Sequence, residues 1–397
     1  MVHRPSPCEK LSSSARAFVV ACVLLLSHPK AARAEDSLTF KAQSWQEDNN
    51  RIRVDSQYAQ VEKDLGTDTR IKVMGLIDSI AGATPTGEKP APGQPVPEVP
   101  MKDRRKAWNA DLSHQFPRLS VDVGYGVSRE SDYVSDGWSL NTVTDFNQKN
   151  TNLLIGYGGT SDTIMEPKLG WKNDRHKKGA DFITGVTQLL DPNTSVTTNI
   201  SYGTSSGYMS DPYKIVSTTR FVDDPGFYHT EAENRPEKKN KLSVFGGINH
   251  NFEKLNGALD GSYRYYHDSF GVTSHTISLA WIQKFGEHVM VQPSIRFYRQ
   301  SASDFYYFDL DRSRIDPALE PTLSETGTGK APFYSSDYRL SHLQTIDAGI
   351  KVIVKITAWL SVDMAYDRYL MRGLDHLTPQ SAYPNANTFT VGFKLTR

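Results

Sequence analysis

The sequence predicts an all-β fold: an antiparallel transmembrane β-barrel of about 16 strands, with 14 the nearest alternative. Three observations predict it. Apolar residues recur at every second position over long stretches. The connections between those stretches alternate between short and long. Charged residues inside the stretches fall on a single register.

The chain of 397 residues opens on a basic stretch with Arg4, Lys10 and Arg16, followed by an apolar run from Ala17 to Leu26 and the small-x-small pattern Ala32-Arg33-Ala34. This order is that of a secretory signal peptide, expected to span residues 1–34 and to be removed. The remainder, 35–397, reads as one outer-membrane barrel domain. Both cysteines, Cys8 and Cys22, lie in the removed part, so the exported chain has no disulfide, zinc-thiolate site or cysteine nucleophile. That part holds five Lys/Arg and one Asp/Glu, leaving 40 basic and 44 acidic residues, which is not the charge of a nucleic-acid binder.

Beyond residue 26 no apolar run exceeds four residues, so no further helix is expected to span a membrane. Instead, Leu119, Val121, Val123 and Tyr125 alternate with Ser120, Asp122 and Gly124, and the same period governs 289–298, 345–354, 360–367 and 388–395. Such runs approach the roughly 9–11 residues a membrane-crossing strand needs. The tight connections are 355–359, 285–288, 252–256, 190–194 and 146–150; the alternate set, 373–385, 303–338, 206–240, 160–179 and 81–104, is long, with 268–272 as the short exception. Short periplasmic turns and long outer loops produce this sorting. The prolines at 85, 90, 92, 95, 97 and 100 predict an extended, solvated loop.

Placing the apolar register toward lipid sends Asp122, Asp260, Arg264, Arg296, Asp347, Lys351, Asp363, Asp367 and Lys394 inward. They are candidates for a lumen lining, either a ladder of ion pairs or a selectivity surface. Tyr125, Tyr202, Tyr263, Tyr265, Trp281, Phe297 and Trp359 are candidates for interfacial girdles facing outer-membrane lipid.

Catalytic signals are thin. Gly203-Thr204-Ser205-Ser206-Gly207 matches a nucleophile-elbow pattern but lacks the helix that must follow. Ser274–His275 and Ser341–His342 are sequence neighbours, which on a strand point to opposite faces. His267, Asp268 and His275, and Asp309 with Asp311, match no metal-ligand spacing. The chain is therefore expected to be no enzyme and to hold no metal or cofactor.

Four strings resemble a known family: GYMSDPYK at 207–214, GSYRYYHDSFGVTSH at 261–275, RFYRQSASDFYY at 296–307 and DSIAGATPTG at 78–87. Together they resemble the uncharacterised bacterial family catalogued as domain of unknown function 3570, from about residue 38 to the C-terminus. The resemblance implies an outer-membrane barrel and no enzymatic activity. Similar proteins are often encoded beside periplasmic flavin-attachment and thioredoxin-like proteins, which implies a periplasmic or extracellular redox partner. The usual terminal aromatic of outer-membrane barrels is here Arg397.

Three of these strings mark strand ends expected to converge on one rim. Gly207, Tyr208, Asp211, Pro212, Tyr213 and Lys214 begin the loop 206–240. Tyr265, Tyr266, Asp268, Gly271 and His275 belong to a tight hairpin. Tyr298, Gln300, Asp304 and Tyr306 lead into the loop 303–338. This rim is the candidate functional surface of a non-enzymatic pore or membrane scaffold, linked to solute passage or extracytoplasmic redox work. The competing readings are an outer-membrane hydrolase with its site at the rim, and a soluble exported β-sandwich that binds a partner.

Overall fold

The structure, a computed structural model, describes residues 36–165, 174–218, 229–310 and 333–397. The expected signal peptide and Asp311 lie outside them. The strands are β1 (Ser37–Glu47), β2 (Ile52–Asp64), β3 (Thr69–Pro85), β4 (Glu98–Gln115), β5 (Leu119–Arg129), β6 (Tyr133–Phe146), β7 (Thr151–Ile164), β8 (Arg175–Asp191), β9 (Thr194–Gly207), β10 (Ile215–Thr218), β11 (His229–Ala232), β12 (Lys238–Phe252), β13 (Gly257–Asp268), β14 (Thr273–Phe285), β15 (Val289–Gln300), β16 (Leu343–Lys355), β17 (Leu360–Gly373) and β18 (Ala386–Thr396). All but β10 and β11 form one closed antiparallel barrel of 16 strands, sealed where β1 pairs with β18 from Ser37↔Thr396 to Glu47↔Ala386. Closure leaves no unpaired strand edge in the barrel wall, which is what a strand protein needs in lipid.

The period-two pattern is what sets the two faces. Leu279 of β14 stands between Gly261 and Ile295, while its neighbour Ser278 stands between Ser262 and Arg296. The first row faces outward and the second faces the lumen. Outward Val123, Leu140, Ile155, Ile200, Ile277 and Ile350 are all exposed, an apolar band with no protein to cover it. A water-soluble sandwich would bury that surface; a membrane-spanning barrel leaves it to lipid. No helix among the described residues is long and apolar enough to cross a membrane.

At one end the connections have two to four residues, for example 65–68, 192–193 and 286–288. At the other lie the long loops, which by the usual orientation makes it the outer end. Two further outer connections prove short, 48–51 and 130–132, besides the expected 269–272. Strands β3, β4 and β8 are longer than expected, reaching 17, 18 and 17 residues, because pairing continues beyond the alternating apolar core into Gly- and Pro-containing sequence. Pro100 thus lies within β4 opposite Ala83.

The proline-rich segment differs from the expected solvated loop. Val96 is buried, and its amide donates to Ser381 Oγ at 3.2 Å. Prolines have no amide to satisfy, so such a segment can pack without partners for every residue. It joins three other outer loops in a structure that covers the barrel mouth.

Candidate functional site: a loop lid over the outer mouth

The lid is built from residues 86–97, 208–237, 301–342 and 374–385, as far as these are described. Two apolar clusters hold it. Val216 of β10 packs with Leu310 and Tyr334, and Val96 packs with Leu343, Met371, Ala382 and Tyr383. The second cluster ties the lid to the barrel, since Leu343 and Met371 are inward residues of β16 and β17. Strand-like bridges Ser217↔Asp309 and Asn234↔Tyr334 join the third loop to the β10–β11 hairpin and the residues just after it, and Tyr306↔Ser335 ties the third loop to itself.

Between the clusters lies a buried ionic network. Asp337 is 2% exposed; its Oδ2 accepts from Arg235 Nη2 at 2.9 Å and Arg339 Nη2 at 2.6 Å. Arg235 also pairs with Glu233 at 2.7 Å, and Ser335 Oγ donates to Glu233 Oε2 at 2.5 Å. Arg339 extends the network to Asp211 at 3.0 Å. Lys214, also buried, donates to the Pro85 carbonyl and to Thr84 Oγ1, tying the hairpin loop to β3. Three cations thus meet three carboxylates. Burial pushes the Asp337 carboxyl up, but Arg339, Arg235 and Lys214 outweigh it and hold the group well below the ordinary carboxylate range. Burial pushes Glu233 up despite Arg235, and depresses Lys214.

The rim residues read from the sequence lie partly in this lid and partly on the strand ends and the tight hairpin beside it. Gly207 ends β9 at φ +112°, where a Cβ would meet the His176 carbonyl, so only glycine turns the chain off the wall here. Asp211 Oδ1 caps the following turn by accepting from the Tyr213 amide at 3.0 Å, with Pro212 between them. Tyr208 is half-buried, its ring under Arg175, and Tyr213 donates to Asp132. Asp268 is the organiser of its hairpin: Oδ1 accepts from the amides of Phe270 and Val272, and Oδ2 from Tyr266 at 2.7 Å and Lys239 at 2.9 Å. Gly271, at φ +83°, lies against Asp304, whose amide donates to Phe270. Gln300 accepts from Tyr298 and donates to the carbonyls of Arg339 and Ser341, both at 2.9 Å. Tyr306 bonds Thr378. Tyr265 and His275 are the exceptions: they face outward, and His275 bonds Tyr263 within the aromatic girdle. Glu233, Arg235, Ser335, Asp337 and Arg339 were not singled out in the sequence, since loop charges without periodicity carry no signal of burial.

Below the lid, all nine charges expected inward lie on the inward register. Asp260, Arg264, Arg296 and Lys394 are exposed to the lumen, while Asp363 is approached by Lys41 at 3.4 Å and Lys351 at 3.9 Å. The wall is therefore partly a ladder of ion pairs and partly free charge. One arc, β5 to β9, carries small inward residues such as Gly124, Gly158, Gly185 and Gly203. Two lumenal cavities, of about 460 and 400 Å³, follow that arc and share Asp181 as a wall residue.

No serine read from the sequence assembles with a histidine. Ser341 Oγ bonds the Tyr338 carbonyl and Tyr383 Oη, and Ser274 and Ser205 face inward, away from outward His275. Among the described residues, Asp103, Glu130 and Asp132 bring carboxylate oxygens within 4.8 Å of one another. Two of the three are already engaged, Asp103 by the amides of Arg104 and Ser131 and Asp132 by Tyr213.

A family model described as "protein of unknown function (DUF3570)" matches residues 9–96, 94–174 and 166–393. The chain belongs to this family. No curated protein matches it. Among solved structures it is similar to a siderophore receptor, PirA, from Pseudomonas aeruginosa, at 11% identity and a TM-score of 0.42, covering 92% of this chain and 62% of the receptor. It is also similar to the CymD monoaromatic hydrocarbon channel, at 10% identity and 0.44, covering 96% and 93%. A bacterial polysaccharide outer membrane secretin matches at 8% identity and 0.46, covering 93% and 99%. The chain spans only about 60% of the length of the receptors it matches. The likeness is of barrel to barrel and extends to no ligand.

Proposed function

We propose that this protein is a non-enzymatic outer-membrane pore whose wet lumen is closed at the outer mouth by the loop lid. The observation that carries the reading is the contrast between the two ends. Among the described residues the inner end has only turns of two to four residues, too short to reach across a barrel of a width that in porins leaves an aqueous channel. The outer end is closed by packed loops held by buried charge. Exposed Arg264 and Arg296 within the lumen support a solvated path, since an unpaired charge in a dry interior would be prohibitively costly. The outward apolar band and even strand number support an outer-membrane setting for such a pore.

Planar-bilayer recording tests this. A variant with residues 304–336 replaced by a short Gly-Ser linker is expected to give stepwise conductance, and the intact protein rare or brief openings. A shortened protein that is folded, by heat-modifiable migration on gels, yet never conducts would make the barrel a scaffold.

A further inference from the structure

Of the phenylalanines in the described barrel strands, Phe245 alone faces inward. An apolar ring on a water-lined wall is unfavourable unless something covers it. Gly247 beneath it has no side chain, and a Cβ there would lie 3.1 Å from Phe245 Cε1, so the ring rests on bare backbone. From the neighbouring strand Arg264 sets its guanidinium 5.6 Å from the ring centroid. Such a contact is worth about 0.5–1 kcal/mol at exposed sites and holds the cation in place.

The two lysines of β12 that face the lumen near Arg264 are already paired. Lys241 Nζ is 2.8 Å from Asp181, and Lys239 is 2.9 Å from Asp268. Among the described residues no carboxylate pairs with Arg264. It faces the cavity of about 400 Å³, which Ser201, Ser243 and Asn199 also line with hydrogen-bonding groups. A guanidinium held beside a half-buried ring and without a carboxylate partner matches an anion with a flat apolar body. A guanidinium takes a carboxylate through two parallel hydrogen bonds.

We propose that this cavity binds a small carboxylate bearing a flat apolar group, with the carboxylate on Arg264 and the flat group against Phe245. The proposal rests on the wet lumen argued above and names the class of solute such a path would hold. Lys241 is already engaged by Asp181 in the same cavity, which leaves Arg264 as its one cation without a carboxylate partner among the described residues, so monoanions are preferred over dianions.

The probe is benzoate, titrated calorimetrically into the detergent-purified full barrel, with acetate and benzylammonium as controls. Benzoate is expected to bind saturably at one site per chain, acetate at least tenfold more weakly, and benzylammonium not at all. Arg264→Gln should abolish benzoate binding, and Phe245→Leu should reduce it toward the acetate level, with heat-modifiable migration unchanged in both. Wild-type protein that binds no benzoate, or Arg264→Gln protein that binds it undiminished, overturns the proposal. If Arg264→Gln fails to fold, Phe245→Leu decides: undiminished preference for benzoate over acetate then overturns it. Binding without conductance in the lid-shortened protein would leave the site standing and the pore refuted; conductance without binding would do the reverse.

Discussion

Replacing Asp337 by alanine is expected to open the lid while leaving the barrel intact. The carboxylate is 2% exposed and neutralises two guanidiniums, of which Arg235 has a side chain only 14% exposed. Removing one partner from a buried pair leaves an uncompensated charge and costs about 3–5 kcal/mol. At about 1.4 kcal/mol per factor of ten, that is roughly a hundredfold to a few thousandfold shift of the lid from closed toward open. The barrel itself is held by the backbone ladders of 16 strands, none of which Asp337 joins. Limited proteolysis should therefore cut the variant in its outer loops at least a hundredfold faster than wild type, while heat-modifiable migration stays unchanged. Equal proteolysis of Asp337→Ala and wild type would refute the idea that this network holds the lid.

Further outcomes follow from the same geometry. Asp337 lies lower in the folded lid than its unfolded value of about 3.9, so its contribution is complete above about pH 4 and lost as pH falls through the folded value; an acid-active protease should cleave the outer loops faster at pH 3 than at pH 5, and Asp337→Asn should lose most of that contrast. Leu279→Arg places a cation on the lipid face at about 2–4 kcal/mol and should reduce assembly into membranes, whereas Ser278→Arg, one residue away and facing the lumen, should assemble normally; equal assembly of the two would contradict the assigned faces. Gly271→Ala forces a side chain into φ +83° and against Asp304, and should destabilise the outer hairpin by about 1 kcal/mol or more, read as faster cleavage near 269–272. Gly203→Val intrudes on the Asp181–Lys241 pair and should lower single-channel conductance in the lid-shortened protein without changing its folding.

How much of this could be read from the sequence depended on whether the feature repeats. The faces of β5 and of β15 to β18 were legible because side-chain direction has a period of two, and one residue such as Asp363 fixes the register of its whole strand. The extension of β3 to Pro85 was not legible, since backbone pairing continues where apolar alternation stops. Asp268 and Gly271 stood out because a tight turn demands residue types that a string can display. Asp337 and Arg235 did not: they are 102 positions apart and meet only because two loops fold over the same mouth. Phe245 was passed over because one aromatic in an alternating strand looks ordinary until the register shows which way it points.

Cysteine accessibility along β14 separates the lumen face from the lipid face residue by residue. With Cys8 and Cys22 replaced by serine the chain has no other thiol, so single cysteines at 276, 277, 278 and 279 report alone. In intact cells a water-soluble maleimide should leave all four unlabelled, because the lid blocks the lumen and lipid covers the outward pair. Given access from the inner side, it should label 276 and 278 and still spare 277 and 279. Labelling of all four alike, or of 276 and 278 from outside in the wild-type background, would contradict a lipid-embedded pore closed at its outer mouth.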